Sequence, residues 1–406
     1  MSLMILGSSS HAGKSTIVAA ICRLLKNCGY TCAPFKSQNM SLNSYVTTDG
    51  KEIGIAQAIQ AMAAGVEPAA EMNPILLKPK GDRTSQVILS GRPYKDIKIG
   101  EYYKETEYLL NVALDSYHLL EEKYGNVVVE GAGGAAEINL YDRDIANILI
   151  AEKLDLPIII VGDIERGGIF AQLIGTYQLL PENVRKNVKG FIINKFRGDP
   201  ELFRDGVSII EEKTGIRVLG VLPYSEVDLP SEDSLSIQDK AKKNSGEKPV
   251  KIGIVRLERI SNFSDFEPLE RYADIRYISP DDRFDDIDCL ILPGTKNTID
   301  DLNYLFRCGF QDKLKKILDK GIPVIGICGG FQMLGKEITD SGIESGTPCT
   351  VKGFGILDIC TGFSDYEKTT MKVRRRSLKK EPILSKINEV SGYEIHMGQT
   401  KNGAGS

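Results

Sequence analysis

The chain has 406 residues, 42% hydrophobic and 26% charged, with a net charge of −4. That length is too great for one typical core, so two domains are expected, and the mild acidity argues against nucleic acid as a partner. No apolar run reaches the ~18 residues needed to span a bilayer and no secretory segment opens the chain, so a cytoplasmic protein without membrane contact is expected.

The opening MSLM reads as an added start ahead of Met4. The first predicted strand, LMILG (3–7), runs into SSSHAGKST (8–16) and then a helical stretch, STIVAAICRLLKNCGY. A glycine-rich turn between strand and helix lets backbone N–H groups approach phosphates, and the helix N-terminus favours their charge. Gly13, Lys14, Ser15 and Thr16 are therefore the nucleotide-binding candidates. Lys14 would reach the β/γ-phosphates and the Ser15 hydroxyl would ligate Mg²⁺. Five residues separate Gly7 from Gly13 where the usual motif has four. Magnesium wants hard oxygens. Asp49, in TTDGKE, is one further ligand candidate, and Glu130 is the other, at the end of the strand NVVVE before GAGG. Further strands follow at LPIIIVGD (156–163) and VKGFIINKF (188–196); Asn194 closes the latter and could present its amide to a base edge.

Residues 231–248, SEDSLSIQDKAKKNSGEK, are polar and carry no apolar stripe. They are read as a linker, giving domains at 1–233 and 250–406 with 234–249 between them. The second half resumes the α/β alternation with KIGIVRL, DCLILPG and IPVIGICGG, and helical FQDKLKKILDKG between them. The pattern predicts mostly parallel, doubly wound sheets with ligands at the carboxyl ends of strands. Cys328 stands on a strand-to-helix elbow among Gly326, Gly329 and Gly330. Such an elbow exposes a nucleophile, and a helix N-terminus should favour its thiolate. LPGT (292–295) ends the preceding strand, so Gly294 could supply an oxyanion-hole amide. The other seven cysteines form no C-x-x-C pair and read as reduced thiols. Of the three histidines, His11, His118 and His396, only His396 falls in the second domain.

Longer stretches carry a resemblance: APFKSQNMSLNSYVTTDGKEIGIAQAIQA (33–61), MNPILLKP (72–79), VVEGAGGAAEINLYDRDIAN (128–147), DIERGGIFA (163–171), GFIINKFRGD (190–199), RISNFSDFEPL, LILPGTKNTIDDL, GICGGFQMLG and GYEIHMG. In this order they resemble the cobyric acid synthase family across essentially the whole chain. The resemblance implies a dethiobiotin-synthetase-like P-loop domain, whose family shares the five-residue spacing, followed by a class I glutamine amidotransferase domain. It implies ATP, Mg²⁺ and glutamine as ammonia donor, for amidation of the b, d, e and g carboxylates of adenosylcobyrinic acid a,c-diamide through acyl phosphates. A corrinoid polycarboxylate needs cationic and amide donors; Lys36, Gln38, Asn39, Asn43 and Arg166 are the candidates. The family's catalytic histidine lies in an HG segment downstream of residue 406. The resemblance thus implies a C-terminally truncated chain with impaired glutaminase activity, and a supporting place for His396 in the sheet or glutamine pocket. Cobyrinic acid a,c-diamide synthase is the nearest alternative, but it lacks a segment of the FKSQNMSLNS type. A ParA/MinD-like P-loop switch would want a second lysine early in the P-loop and an amphipathic tail, which are absent here. An inactive scaffold of the same family and a homo-oligomer remain compatible with the sequence.

Overall fold

Short runs of Val and Ile bounded by glycine and polar residues build the first sheet, because branched side chains suit a strand buried on both faces. The computed structural model describes residues 2–81, 83–225, 248–366, 368–377 and 387–403. The expected linker therefore lies almost wholly outside the described residues. Six parallel strands form the sheet: β1 (Leu3–Gly7), β2 (Ala33–Phe35), β3 (Val127–Glu130), β4 (Ile158–Asp163), β5 (Val188–Phe196) and β6 (Val218–Pro223). Their spatial order is β6-β5-β4-β1-β3-β2. All strands run the same way, but the side on which successive strands are added reverses beside β1, and the crevice at such a switch point, at the carboxyl ends, is where open α/β sheets take ligands. Met4 and Leu6 pack in one apolar cluster while Ile5 packs in another; Val127 and Val129 against Val128 do the same. That period of two fills both faces of the sheet.

The chain divides into two units. The first comprises Met1–Met40, Lys51–Leu77 and Ser85–Leu229; the second comprises Ser41–Gly50, Lys78–Thr84 and Pro230–Ser406. Two short stretches of the N-terminal half thus belong with the second unit, which an unbroken first domain over 1–233 does not anticipate.

In the second unit, β7 (Lys251–Val255), β8 (Asp274–Ile278), β9 (Cys289–Leu292) and β10 (Val324–Gly326) form a parallel sheet in the order β8-β7-β9-β10. Helices Thr298–Arg307 and Phe310–Asp319 bury Leu302, Leu305, Phe310, Leu314 and Ile317 in the cluster that contains Leu290, Ile291 and Leu292 of this sheet. Four more strands follow, β11 (Glu337–Ser341), β12 (Pro348–Lys352), β13 (Ile359–Phe363) and, after the antiparallel pair β14 (Thr369–Arg376) and β15 (Glu389–His396), β16 (Gln399–Asn402). They make a mixed sheet in the order β12-β11-β13-β16. Among the described residues, no helix is long and apolar enough to cross a membrane.

Phe310 is fully buried and meets Phe284 and Phe354 edge-on, with ring centroids 5.4 and 5.7 Å away. Phe310→Ala removes both contacts and leaves a cavity, so it should destabilise the second unit by about 3–5 kcal/mol. Denaturant unfolding followed by a probe in each unit checks this, with the first unit's transition expected to stay in place.

Candidate active sites of the two units

In the first unit the turn after β1 leads through His11 (φ 60°) and Gly13 (φ 97°) into the helix Lys14–Asn27. Gly13 is required twice over: its φ is left-handed, and an added Cβ would collide with the Asn194 side chain. Asn194 lies at the end of β5, where its amide donates to the Ala12 carbonyl at 3.0 Å. Its neighbour Lys195 donates to the His11 carbonyl at 2.8 Å and to Asp163 at 2.7 Å. Two consecutive side chains therefore tether the backbone of the turn. Asn194, expected at a base edge, is joined to the phosphate-loop backbone. The Lys14 ammonium is buried and donates to the Ser9 carbonyl at 3.1 Å and the Gly133 carbonyl at 2.6 Å. Thr16 is half-buried on the same helix.

Glu130, at the carboxyl end of β3, is 1% exposed. Its carboxylate accepts from Ser15 Oγ at 2.7 Å, from Lys36 Nζ at 3.0 Å and from the Gln60 amide. Burial by itself would raise its pKa, but the Lys36 ammonium and the hydrogen bonds from Gln60 and Ser15 overcome it and hold the carboxyl below its ordinary value. A hydroxyl and an ionised carboxylate at this distance, beside a helix N-terminus and a lysine, are the donor set that a phosphate-bound Mg²⁺ uses. The third expected ligand, Asp49, is exposed, accepts from Thr47 and falls in the second unit. Ser15 and Glu130 are thus the expected metal ligands that the first unit itself brings together. Among the described residues no group of three or more His, Cys, Asp or Glu side chains is placed to hold a metal.

Of the expected substrate residues, Lys36 is the one bound into this cluster. Gln38 accepts from Tyr102, and Asn39, 3% exposed, donates to Gln57 at 3.1 Å. Asn43 is buried in the second unit, where its N–H donates to Ser41 Oγ at 3.0 Å. Arg166 is exposed on the turn after β4, its guanidinium 4.0 Å from Asp163. Gln60, Asp163 and Lys195 stand in quoted stretches, but none of them was singled out as a site residue from the sequence.

In the second unit Cys328 has φ 49° and ψ −112°, a strained conformation at the start of the short helix Gly329–Met333. Gly330 must be glycine because a Cβ there would run into the Leu292 carbonyl. A methyl at Gly294 would sit 3.6 Å from Cys328 Cβ, so LPGT flanks the thiol as expected. The sulfur donates to the Ile395 carbonyl at 3.7 Å, and the His396 ring nitrogen Nδ1 lies 3.1 Å from the Gly398 carbonyl. Cys328 and His396 line one cavity of about 190 Å³. Glu344, Lys296, Lys78, Gln332 and Thr298 also line it.

The thiol reaches solvent through this cavity yet is crowded by protein atoms. That crowding pushes its pKa above the ordinary thiol value, against the Gly329 N–H. The expectation of a favoured thiolate is corrected here: burial outweighs the helix terminus.

Glu344 accepts from the Thr298 N–H at 2.8 Å, and its burial pushes its pKa up to about 7 against the charge of Lys296. A sequence reading has no signal for it, since IESG is an unremarkable loop.

The first unit thus pairs a P-loop turn with a Ser–Glu–Lys cluster, and the second carries a cysteine elbow. Residues 3–237 match the CobQ/CobB/MinD/ParA nucleotide binding domain, and residues 251–406 match the CobB/CobQ-like glutamine amidotransferase domain. The probable cobyric acid synthase of Methanoculleus marisnigri is 60% identical over 403 residues, 99% of this chain and 82% of that protein. Those of Methanosphaerula palustris and Methanosarcina barkeri are 60% and 57% identical, over 98% of this chain and 81% and 82% of their own lengths. Among solved structures, the signal recognition particle receptor FtsY of Elizabethkingia anophelis in complex with GDP is similar over 56% of this chain and 57% of its own, at a TM-score of 0.33 and 17% identity. The chain belongs to the cobyric acid synthase family.

Glu344 binds its proton more tightly folded than unfolded, because its pKa rises from 4.5 to about 7. Its contribution to stability is fully present below about pH 4.5 and is lost as pH rises through about 7. Glu344→Gln should therefore flatten the decline of the second unit's Tm between pH 5 and pH 8, measured by thermal unfolding across that range.

Proposed function

We propose that this chain amidates the b, d, e and g carboxylates of adenosylcobyrinic acid a,c-diamide in the cytoplasm, using ATP and ammonia from glutamine. The observation that carries this reading is the near full-length identity to cobyric acid synthases, coinciding with both chemical sites. A carboxylate is a poor acyl donor. Transfer of the γ-phosphoryl group to a carboxylate oxygen releases ADP and leaves an acyl phosphate. Ammonia then attacks the acyl carbon, loses a proton and expels phosphate, giving the amide.

Phosphoryl transfer depends on positioning and charge stabilisation more than on covalent help from the protein. Lys14 and the N–H groups of the turn bind the phosphates, with Gly13 allowing their approach and Thr16 following on the same helix. Asn194 and Lys195 keep that turn in shape from the end of β5. Ser15 and Glu130 would hold Mg²⁺, which supplies charge neutralisation on the phosphates. Lys36, beside them, is the first candidate to receive a substrate carboxylate, with Gln38, Asn39 and Arg166 further along the same unit.

In the second unit Cys328 attacks the side-chain amide of glutamine, with Gly294 beside it as a source of oxyanion stabilisation. Ammonia leaves, and water releases glutamate from the thioester. Burial raises the thiol's pKa, so the proton the sulfur gives up on attack needs an acceptor in the cavity. His396 lines the same cavity, and Asn43 and Asp49 belong to that unit as well.

Lys14→Ala should abolish amide formation even with ammonium salts, because it removes a phosphate contact that strengthens during transfer. Cys328→Ser should abolish glutamine use and leave ammonia-supported amidation intact. Both are read by chromatography of the corrinoid products with glutamine or ammonium chloride. Undiminished ammonia-dependent turnover in Lys14→Ala would remove the nucleotide assignment; undiminished glutamine use in Cys328→Ser would remove the nucleophile. Glu130→Gln should raise the Mg²⁺ concentration needed for half-maximal rate by about 10-fold or more, the scale of losing an oriented ligand interaction.

A further inference from the structure

Asp301 is a fully buried carboxylate on the first turn of the helix Thr298–Arg307, and it does not line the Cys328 cavity. One of its oxygens accepts from the Thr295 hydroxyl, and the other accepts from the Arg259 guanidinium at 3.1 Å. These two partners belong to chain segments that pair with each other beside the thiol. The Ser261 N–H donates to the Gly294 carbonyl at 2.9 Å, the Lys296 N–H donates to the Arg259 carbonyl at 2.9 Å, and Ile260 bridges Thr295 antiparallel between them. Asp301 therefore grips both segments at once.

Thr295 also meets the elbow itself. A Cβ added at Gly329 would stand 2.8 Å from the Thr295 methyl and 3.3 Å from its backbone nitrogen. The residue after the nucleophile thus packs directly on Thr295, while the residue before Thr295 is Gly294. One hydroxyl bond to Asp301 reaches both sides of the thiol. Burial pushes the Asp301 carboxyl up to about 6, against the Thr295 hydrogen bond and the charge of Arg259. A buried ion pair adds little net stability, but charge-assisted hydrogen bonds hold their partners to a narrow range of distance and direction. Attack of the sulfur on the amide carbon moves the carbonyl electron pair onto oxygen, and the charge returns when ammonia leaves. A donor about 1 Å out of place forfeits much of the stabilisation of that oxygen.

We propose that Asp301 is a positioning residue for glutamine hydrolysis: through Thr295 and Arg259 it holds the LPGT turn against the Cys328 elbow, so that the Gly294 N–H meets the oxyanion. The proposal rests on the reading of Cys328 as the nucleophile with Gly294 beside it. Asp301 itself touches neither sulfur nor substrate.

The test uses the full chain and two reactions of the same sulfur. Alkylation of Cys328 by iodoacetamide, followed by peptide mass spectrometry, forms a thioether without an oxyanion. Glutamine hydrolysis, followed by glutamate release, passes through one. Asp301→Asn keeps the shape and removes the charge; Thr295→Val removes the hydroxyl and keeps a methyl against Gly329. Each should lower kcat for glutamine about 10- to 100-fold, the scale of a misplaced oxyanion donor, with KM and the alkylation rate unchanged. Thr295→Ser retains the hydroxyl and should keep most of kcat. Thr295→Val also covers the case where Asp301→Asn does not fold. An unchanged kcat in the folded variants overturns the proposal. So does a joint fall of kcat and alkylation, which a merely structural carboxylate would produce. If Cys328→Ser releases glutamate as fast as the unsubstituted chain, the nucleophile reading fails and the proposal falls with it.

Discussion

The buried carboxylate of Glu130 is the constraint around which the first unit is arranged. An ionised carboxylate 1% exposed would cost several kcal/mol if it stood alone. Here three groups from separate segments satisfy it: Ser15 at the start of the P-loop helix, Lys36 just after β2, and Gln60 on the helix Ile55–Ala64. Each partner fixes where its segment ends at the crevice. The outcome is a cluster held in one place by three segments, and fixed groups of this kind are what phosphoryl transfer relies on.

The second unit solves a different problem. A nucleophile on a tight elbow needs backbone freedom on both sides and a close approach to the neighbouring strand. Gly330 meets the second need against the Leu292 carbonyl, and the φ of 49° at Cys328 shows that the elbow holds a non-glycine residue in a strained conformation. The same enclosure that shapes the cavity raises the thiol's pKa. Lys78 and Lys296 act in the opposite direction, toward thiolate, while Glu344 adds to the effect of burial.

Amidation joins two chemistries that must not run out of step, since ammonia released without an acyl phosphate is lost. The chain meets this demand partly by composition of its units. Ser41–Gly50 and Lys78–Thr84 are flanked on both sides by residues of the ATP-using unit yet belong to the glutamine-using one. The segments entering and leaving them include Lys36 and β2 on one side and Gln57 and Gln60 on the other.

The sequence by itself determined the elements and the two chemistries. Branched runs marked the strands, the GKST turn marked the phosphate-site candidates, and the glycine-flanked cysteine marked the elbow, because each depends on local backbone geometry and near neighbours in the chain. It also placed Ser15, Lys36 and Glu130 among the candidates. Only the tertiary structure decided which candidates meet. It joined those three around one carboxylate, added Gln60, and put Asp49 and Asn43 in the other unit. It turned Asn194 onto the P-loop backbone and brought Lys78 to a cysteine 250 residues away in sequence. It likewise decided the direction in which the Cys328 thiol's pKa moves, where a helix terminus visible in the sequence was outweighed by burial that is not. Charge balance and desolvation depend on everything within a few ångströms, and no local pattern encodes that company.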